Sequence, residues 1–334
     1  MLRAASSTRP KSIDDLLSPE FVAKLSRVDL ASRKVFAGKL KGERRSKRRG
    51  ESVEFADHRP YVVGDDLRFI DWNIYGRLDK LFLKMFMEEE DLSLHIVIDA
   101  SASSDCGEPS KFRYMQEVAA ALGYIGLVNY NRVTLTAVGG VGADPNRARE
   151  EAAPGAQTGE TPVPPVNDVS GVVSTLRNLR GRRRVHDMGA WLCGLEPAGA
   201  TNFTEGAKRI ALSRTGKGVM VVLSDFFFKE GYEQGMRYLL GRGYDVFAMQ
   251  VLSPQEVTPE IGGDLRLKDV EDADLAEVTI SKPLLDQYKK NLAAYCDQLR
   301  QFCARRDILH LLVQTDEDIE TLVLDVLRRR GLLR

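Results

Sequence analysis

Cysteine and histidine are scarce, with four of each in 334 residues. Cys106, Cys193, Cys296 and Cys303 form no Cys-x-x-Cys pair, which excludes a small disulfide-rich frame and fits a reducing interior. Cys296 and Cys303 lie two helical turns apart on one face and read as core thiols. His58, His95, His186 and His310 stand singly, so neither a histidine metal cluster nor a paired general base is legible. Net charge is missing too: 48 basic residues face 48 acidic ones, and no whole-molecule field draws the chain to nucleic acid or anionic lipid. Long apolar runs are lacking. Gly218 to Leu223 and Leu94 to Ile98 are too short to span a bilayer, and Met1 to Ser12 has no apolar stretch of the kind a secretory signal needs. A cytoplasmic location is expected. Neither a Walker-type phosphate loop nor a Gly-x-Gly-x-x-Gly after a strand occurs.

What the chain does have is 43% hydrophobic content, enough for one large core or two modest ones. Ser18-Pro19-Glu20 is a helix start, with a serine cap and proline in the first turn, and predicts a helix to about Arg27. Lys39 to Arg49 is a basic run without apolar period and reads as a solvated loop. Charges and aromatics are dense from Glu54 to Asp91, and Leu81 to Met87 alternates like a strand. Beyond Asp91 the pattern becomes βαβ. Strands are expected at Leu94 to Asp99, Arg132 to Val138, Val219 to Leu223, Asp245 to Val251 and Ile308 to Val313. Helices are expected at Lys111 to Val128, Val169 to Leu179, His186 to Leu195, Thr204 to Ser213, Pro283 to Arg305 and Asp316 to Arg329. Residues Gly139 to Val166 hold hardly any large apolar side chain and predict a mobile loop. A hairpin, Asp264 to Val270 with Ala276 to Ile280, occupies an insertion at 258–282. The expected fold is α/β, a doubly wound, mainly parallel, Rossmann-like sheet over 92–330, with an N-terminal region at 1–91.

In such a sheet the loops at the carboxyl ends of the strands converge on one crevice. Three of these loops carry hard oxygen donors: Asp99-Ala100-Ser101-Ala102-Ser103, Gly199-Ala200-Thr201-Asn202, and Ser224-Asp225. Two carboxylates and three hydroxyls, completed by water, suit Mg²⁺, with Mn²⁺ or Ca²⁺ as alternatives. Few charged ligands leave the cation electrophilic, so that an open position can accept a carboxylate from outside.

The order Asp-x-Ser-x-Ser, Gly-x-Thr-Asn, Ser-Asp resembles the metal-ion-dependent adhesion site of von Willebrand factor A domains. The resemblance implies that Ser101 and Ser103 bind the cation directly, that Thr201 does so in one state, and that Asp99 and Asp225 act largely through water. Ser104, where many such sites have methionine, and Ala200, in place of a common glycine, depart from the pattern without removing a donor. Glu54-Phe55, Arg59-Pro60-Tyr61, Gly64-Asp65-Asp66-Leu67-Arg68, Ile70-Asp71-Trp72 and Glu89, then Gly263 to Val270 and Tyr288, resemble the bacterial domain-of-unknown-function family fifty-eight, DUF58. That likeness covers nearly the whole chain. It implies an association with MoxR-type AAA+ ATPases. The leading expectation from the cation site is a non-enzymatic adaptor that holds an acidic residue of a partner protein through the cation.

Other readings remain beside these. Asp99 follows an apolar strand, as the nucleophile of a metal-dependent phosphate-ester hydrolase would, but the usual second acid two residues on is Ser101. The basic runs at Lys39 to Arg49 and Arg177 to Arg184 lack the interleaved aromatics of a single-strand nucleic-acid binder and read as solvated faces. Arg59, Tyr61, Asp65, Asp66, Arg68, Asp71 and Trp72 form either a recognition surface or an internal salt-bridged brace.

Overall fold

The computed structural model describes residues 9–31, 54–87, 92–139, 172–199, 201–213, 218–241, 243–268 and 275–334. Along them run α1 (Pro19–Leu25), β1 (Glu54–Pro60), α2 (Trp72–Leu78), β2 (Phe82–Met87), β3 (Ser93–Asp99), α3 (Lys111–Val128), β4 (Arg132–Val138) and β5 (Val172–Leu179). Then come α4 (Val185–Cys193), α5 (Phe203–Leu212), β6 (Gly218–Ser224), α6 (Glu233–Leu240), β7 (Asp245–Leu252), the single-turn α7 (Pro254–Val257), β8 (Gly263–Lys268), β9 (Leu275–Ile280), α8 (Lys282–Ala304) and β10 (Leu309–Gln314). A last helical stretch at 319–329 has a π-helical centre, Leu322–Val326. The basic run at Lys39 to Arg49, Glu89, Ala200 and the loop residues from 140 to Val166 lie outside the described residues.

Ala37–Asp91 form one compact unit, and Met1–Phe36 with Leu92–Arg334 form the other. The N-terminal residues therefore group with the larger unit and not with 37–91, because Leu16, Leu17, Phe21 and Leu25 join its core. Asp29 and Arg334 exchange backbone hydrogen bonds of 3.1 and 2.9 Å, tying the α1 segment to the last residues. In the smaller unit β1 and β2 pair antiparallel, Glu54 opposite Met87 and Pro60 opposite Phe82. There Asp71 caps α2, its Oδ1 accepting from the N–H groups of Asn73 at 2.9 Å and Ile74 at 3.2 Å.

The larger unit is built on a six-stranded sheet in the order β10-β7-β6-β3-β4-β5. Every neighbouring pair is parallel except β4 with β5. Strand β3 is buried along its whole length, as a central strand covered on both faces must be. Leu94, Ile96 and Ile98 pack with α1, α3 and α4 on one face. Val97 packs with Phe203, Met236 and Phe302 of α5, α6 and α8 on the other. Helices on both faces of a mainly parallel sheet make the Rossmann-like, doubly wound architecture that the βαβ rhythm predicts.

One expected element is overturned. Val169, Val172, Val173 and Leu176 recur at helical spacing, yet Val172–Leu179 is an edge strand antiparallel to β4, with Leu176 opposite Leu135. The β-branched Val172, Val173 and Thr175 favour a pleated surface, and pairing with β4 decides what local spacing leaves ambiguous. Other expected elements are found within a few residues of their predicted bounds, including the hairpin, where Gly263 faces Ile280. Of the two helix α8 thiols, Cys303 is buried in the core and Cys296 is half-buried.

Candidate metal centre

β3 lies between β4 and β6, and the chain leaves it on one side and returns on the other, so the carboxyl ends of β3 and β6 flank a topological switch point. Asp99 closes β3 there and is only 5% exposed. The loops around it are stitched by main-chain bonds. Ala100 N–H donates to the Val138 carbonyl at 2.8 Å, Ala198 N–H to that of Ala100 at 3.1 Å, and Ala102 N–H to that of Gly199 at 2.9 Å. This lacing brings Thr201 beside Asp99, whose Oδ1 accepts from the Thr201 hydroxyl at 3.1 Å and from Ser101 N–H at 3.1 Å. Its Oδ2 accepts from the Ser224 hydroxyl at 2.7 Å. The Ser101 and Ser103 hydroxyl oxygens lie 3.0 Å apart. Asn202, next to Thr201, caps α5 through Glu205 N–H at 2.9 Å, which anchors that loop.

The turn after β6 is equally fixed. Phe226 has a left-handed φ of 63°, its N–H donates to Ser224 Oγ at 2.9 Å, and its carbonyl accepts from the Tyr295 hydroxyl. Asp225 Oδ1 accepts from Phe227 N–H at 2.9 Å. Asp225 Oδ2 accepts from Lys111 Nζ at 2.6 Å, and the same ammonium donates to Glu256 Oε1 at 2.6 Å. Neither Lys111 nor Glu256 is singled out by the sequence pattern. Lys111 sits 114 residues from one carboxylate and 145 from the other, and only burial within the fold marks it. Ser104, at the departure from the adhesion-site pattern, is buried and donates to the Ser101 carbonyl at 2.7 Å, so it braces the loop.

Burial, helped by the nearby Asp225 charge, pushes the Asp99 carboxyl up to about 6. Burial works against the Lys111 charge, but Asp225 and Glu256 outweigh it and hold the ammonium above its ordinary range. Among the described residues no group of three or more His, Cys, Asp or Glu side chains converges as a metal site would require. The donors here are hydroxyls with two carboxylates, a set that excludes soft-metal chemistry and suits a small hard cation. The fit is good. A carboxylate raised by burial, with a second acid adding to it, would gain from a cation, and both carboxylates accept from protein donors. The Ser101, Ser103 and Thr201 oxygens are the neutral donors of the set.

The sequence profile of a protein family described as being of unknown function, DUF58, matches residues 57–152 and 163–315. The chain belongs to the DUF58 family. Uncharacterized proteins of Mycobacterium bovis and Mycobacterium tuberculosis are each 26% identical to it over 338 residues, covering 99% of this chain and 98% of theirs. Among solved structures, BatB from Bacteroides thetaiotaomicron matches with a TM-score of 0.40 at 10% identity, over 71% of this chain and 98% of that one. An aerotolerance-related membrane protein from Bacteroides fragilis matches with a TM-score of 0.38 at 12% identity, over 71% and 97%. All five proposed ligands, and Lys111 and Glu256, fall inside the spans matched to DUF58. No described helix is long and apolar enough to cross a membrane.

In this DUF58 chain three acidic side chains of the smaller unit have local partners. Arg59 donates to Asp65 at 2.7 Å, Asp65 also accepts from Val62 N–H at 2.9 Å, and Arg68 donates to Asp66 at 2.6 Å. His58 Nε2 lies 3.0 Å from Asp71, which also caps α2. Tyr61 is tied through its N–H to the Leu81 carbonyl at 2.9 Å. Trp72 is 62% exposed, and its ring meets Tyr75 edge-on with centroids 6.0 Å apart. These contacts are local, and Trp72 and the Arg68 side chain are exposed.

Proposed function

We propose that this DUF58 protein is a non-enzymatic, cation-dependent protein-binding adaptor with a von Willebrand factor A-like site. Asp99, Ser101, Ser103, Thr201 and Asp225 would hold Mg²⁺, or Mn²⁺ or Ca²⁺ in its place. When bound, the ion supplies an electrophilic position for a carboxylate of the partner. The observation that carries this reading is the convergence of three strand-end loops on Asp99, with the Thr201 and Ser224 hydroxyls and Ser101 N–H all donating to one buried carboxylate. Because Asp99 and Asp225 are occupied by these donors and by Lys111, they orient and charge the site, while neutral hydroxyls face the ion.

Among the described residues of the larger unit, His95 pairs with Thr136 and His310 with Gln250, so these imidazoles are engaged elsewhere. A role beside a MoxR-type AAA+ ATPase, in the cytoplasm, belongs to the same proposal, with Arg68 and Trp72 of the smaller unit as a second contact. The test combines a thermal melt with affinity capture, using wild type and Asp99→Ala/Asp225→Ala, each with Mg²⁺ and with chelator. Wild type should melt higher with Mg²⁺ and retain its partner only then, and the variant should do neither. The same partners in all four conditions would refute the adhesion mechanism. Phosphate-ester hydrolysis lost in Asp99→Ala would replace the adaptor with a hydrolase.

A further inference from the structure

We propose that Lys111, clamped between Asp225 and Glu256, sets how tightly the cluster on the strand ends holds a divalent cation. This rests on the cation reading of Asp99, Ser101, Ser103, Thr201 and Asp225. Lys111 is the first residue of α3, directly after the Ser110 cap whose Oγ accepts from Arg113 N–H, yet its side chain runs inward and is 1% exposed. A lysine so deeply buried is rare unless paired. Here the ammonium meets two carboxylates at 2.6 Å each.

The clamp is stiff. Glu256 Oε2 accepts from Ser253 N–H at 2.8 Å and from the Ser253 hydroxyl at 3.1 Å, and the Glu256 carbonyl accepts from the Tyr288 hydroxyl at 2.9 Å. Lys111 therefore cannot swing away when a second cation arrives. Asp225 must serve both, and the fixed positive charge lowers the site's attraction for a divalent ion. Glu256 offsets part of that charge. Two carboxylates meet the ammonium and Asp99 adds a third acid beside Asp225, which leaves the cluster negative enough for a divalent ion but short of the charge of a tight chelator. A partner's carboxylate would supply the missing charge, so Lys111 makes cation retention depend on the partner.

Mn²⁺ titration of the full chain, followed by the electron paramagnetic resonance signal of free Mn²⁺, tests the proposal. Removing the ammonium in Lys111→Met should tighten Mn²⁺ binding about tenfold or more, and removing its counter-charge in Glu256→Gln should weaken binding about tenfold, from the interaction of unit charges at partly screened short range. A purely structural role would weaken binding in both variants. Both variants within about twofold of wild type, or either shift with the opposite sign, would overturn the inference. Wild type that takes up no Mn²⁺ would instead overturn the cation site itself. Should Lys111→Met fail to fold, Lys111→Gln, which removes the charge but keeps a hydrogen-bond donor for Asp225, carries the deciding sign, with a circular dichroism melt to verify its fold.

Discussion

Gly139 offers the sharpest test of how the site is closed. It follows β4 with a left-handed φ of 75°, and a Cβ built there would lie 2.4 Å from Thr201 Oγ1 and 3.2 Å from the Ser101 nitrogen. Gly139→Ala thus makes two separate demands. A left-handed backbone costs a residue with a Cβ about 1–2 kcal/mol. Pushing the Thr201 hydroxyl off Asp99 forfeits a hydrogen bond to a charged acceptor, worth about 1.5–3 kcal/mol. The expected destabilisation is about 3–5 kcal/mol, read as a lower urea midpoint at unchanged slope. Gly199→Ala is the control: its φ is 63°, but nothing lies within 4 Å of the added Cβ, so only the backbone cost applies. Mn²⁺ affinity should fall in Gly139→Ala and hold in Gly199→Ala. Equal urea midpoints for the two variants, or wild-type Mn²⁺ affinity in Gly139→Ala, would refute the placement of Thr201 against Asp99.

Asp99→Asn keeps the shape of the cluster while removing a buried charge, so the Mg²⁺-induced rise in melting temperature should vanish, and a retained rise would show that the ion binds elsewhere. His95 is buried and held down to about 4 from 6.5, first by burial and then by the Arg177 charge. The unfolded chain then takes up a proton below pH 6.5 that the folded chain refuses until about 4, so His95 should cost about 3 kcal/mol of stability as pH falls through that window, and His95→Asn should flatten the loss. Of the two tryptophans, Trp191 is buried and donates to Ser174 Oγ at 2.9 Å, whereas Trp72 is exposed. Acrylamide should quench wild-type emission strongly and that of Trp72→Phe weakly. Equal quenching of the two would contradict the outward face of α2.

The parts of the fold that were legible in advance are those where one short segment decides its own state. Leu94 to Ile98 and Val219 to Leu223 read as strands because continuous apolar runs of that length suit a covered parallel sheet, and both lie in its centre. Lys111–Val128 read as a helix because its apolar residues recur at 3.6-residue spacing, and nearly all are buried. The segment at β5 failed because Val169, Val172, Val173 and Leu176 satisfy a helical spacing as well as a β propensity. Only the open edge of β4, which no local signal carries, settles the choice. The grouping of α1 with the larger unit was hidden for the same reason, since Leu30, just after that helix, bridges to Leu333 at the far end of the chain.

The candidate site divides along the same line. Its oxygen donors were legible because alternate residues after a strand share one side, so Asp99, Ser101 and Ser103 announce themselves within five residues. The groups that tune those donors were not. Gly139 belongs to a loop start that composition alone marks only as glycine-rich, and its role appears when Thr201 lies against it. Lys111 reads as the first residue of an ordinary helix, where a cation would even be disfavoured by the helix dipole. That disfavoured placement is tolerated because Asp225 from the turn after β6 and Glu256 from α7 converge on it, and the site's charge balance is therefore a property of tertiary structure. The oxygen donors form a local motif, whereas the residues that set the charge around them come from elements far apart in sequence.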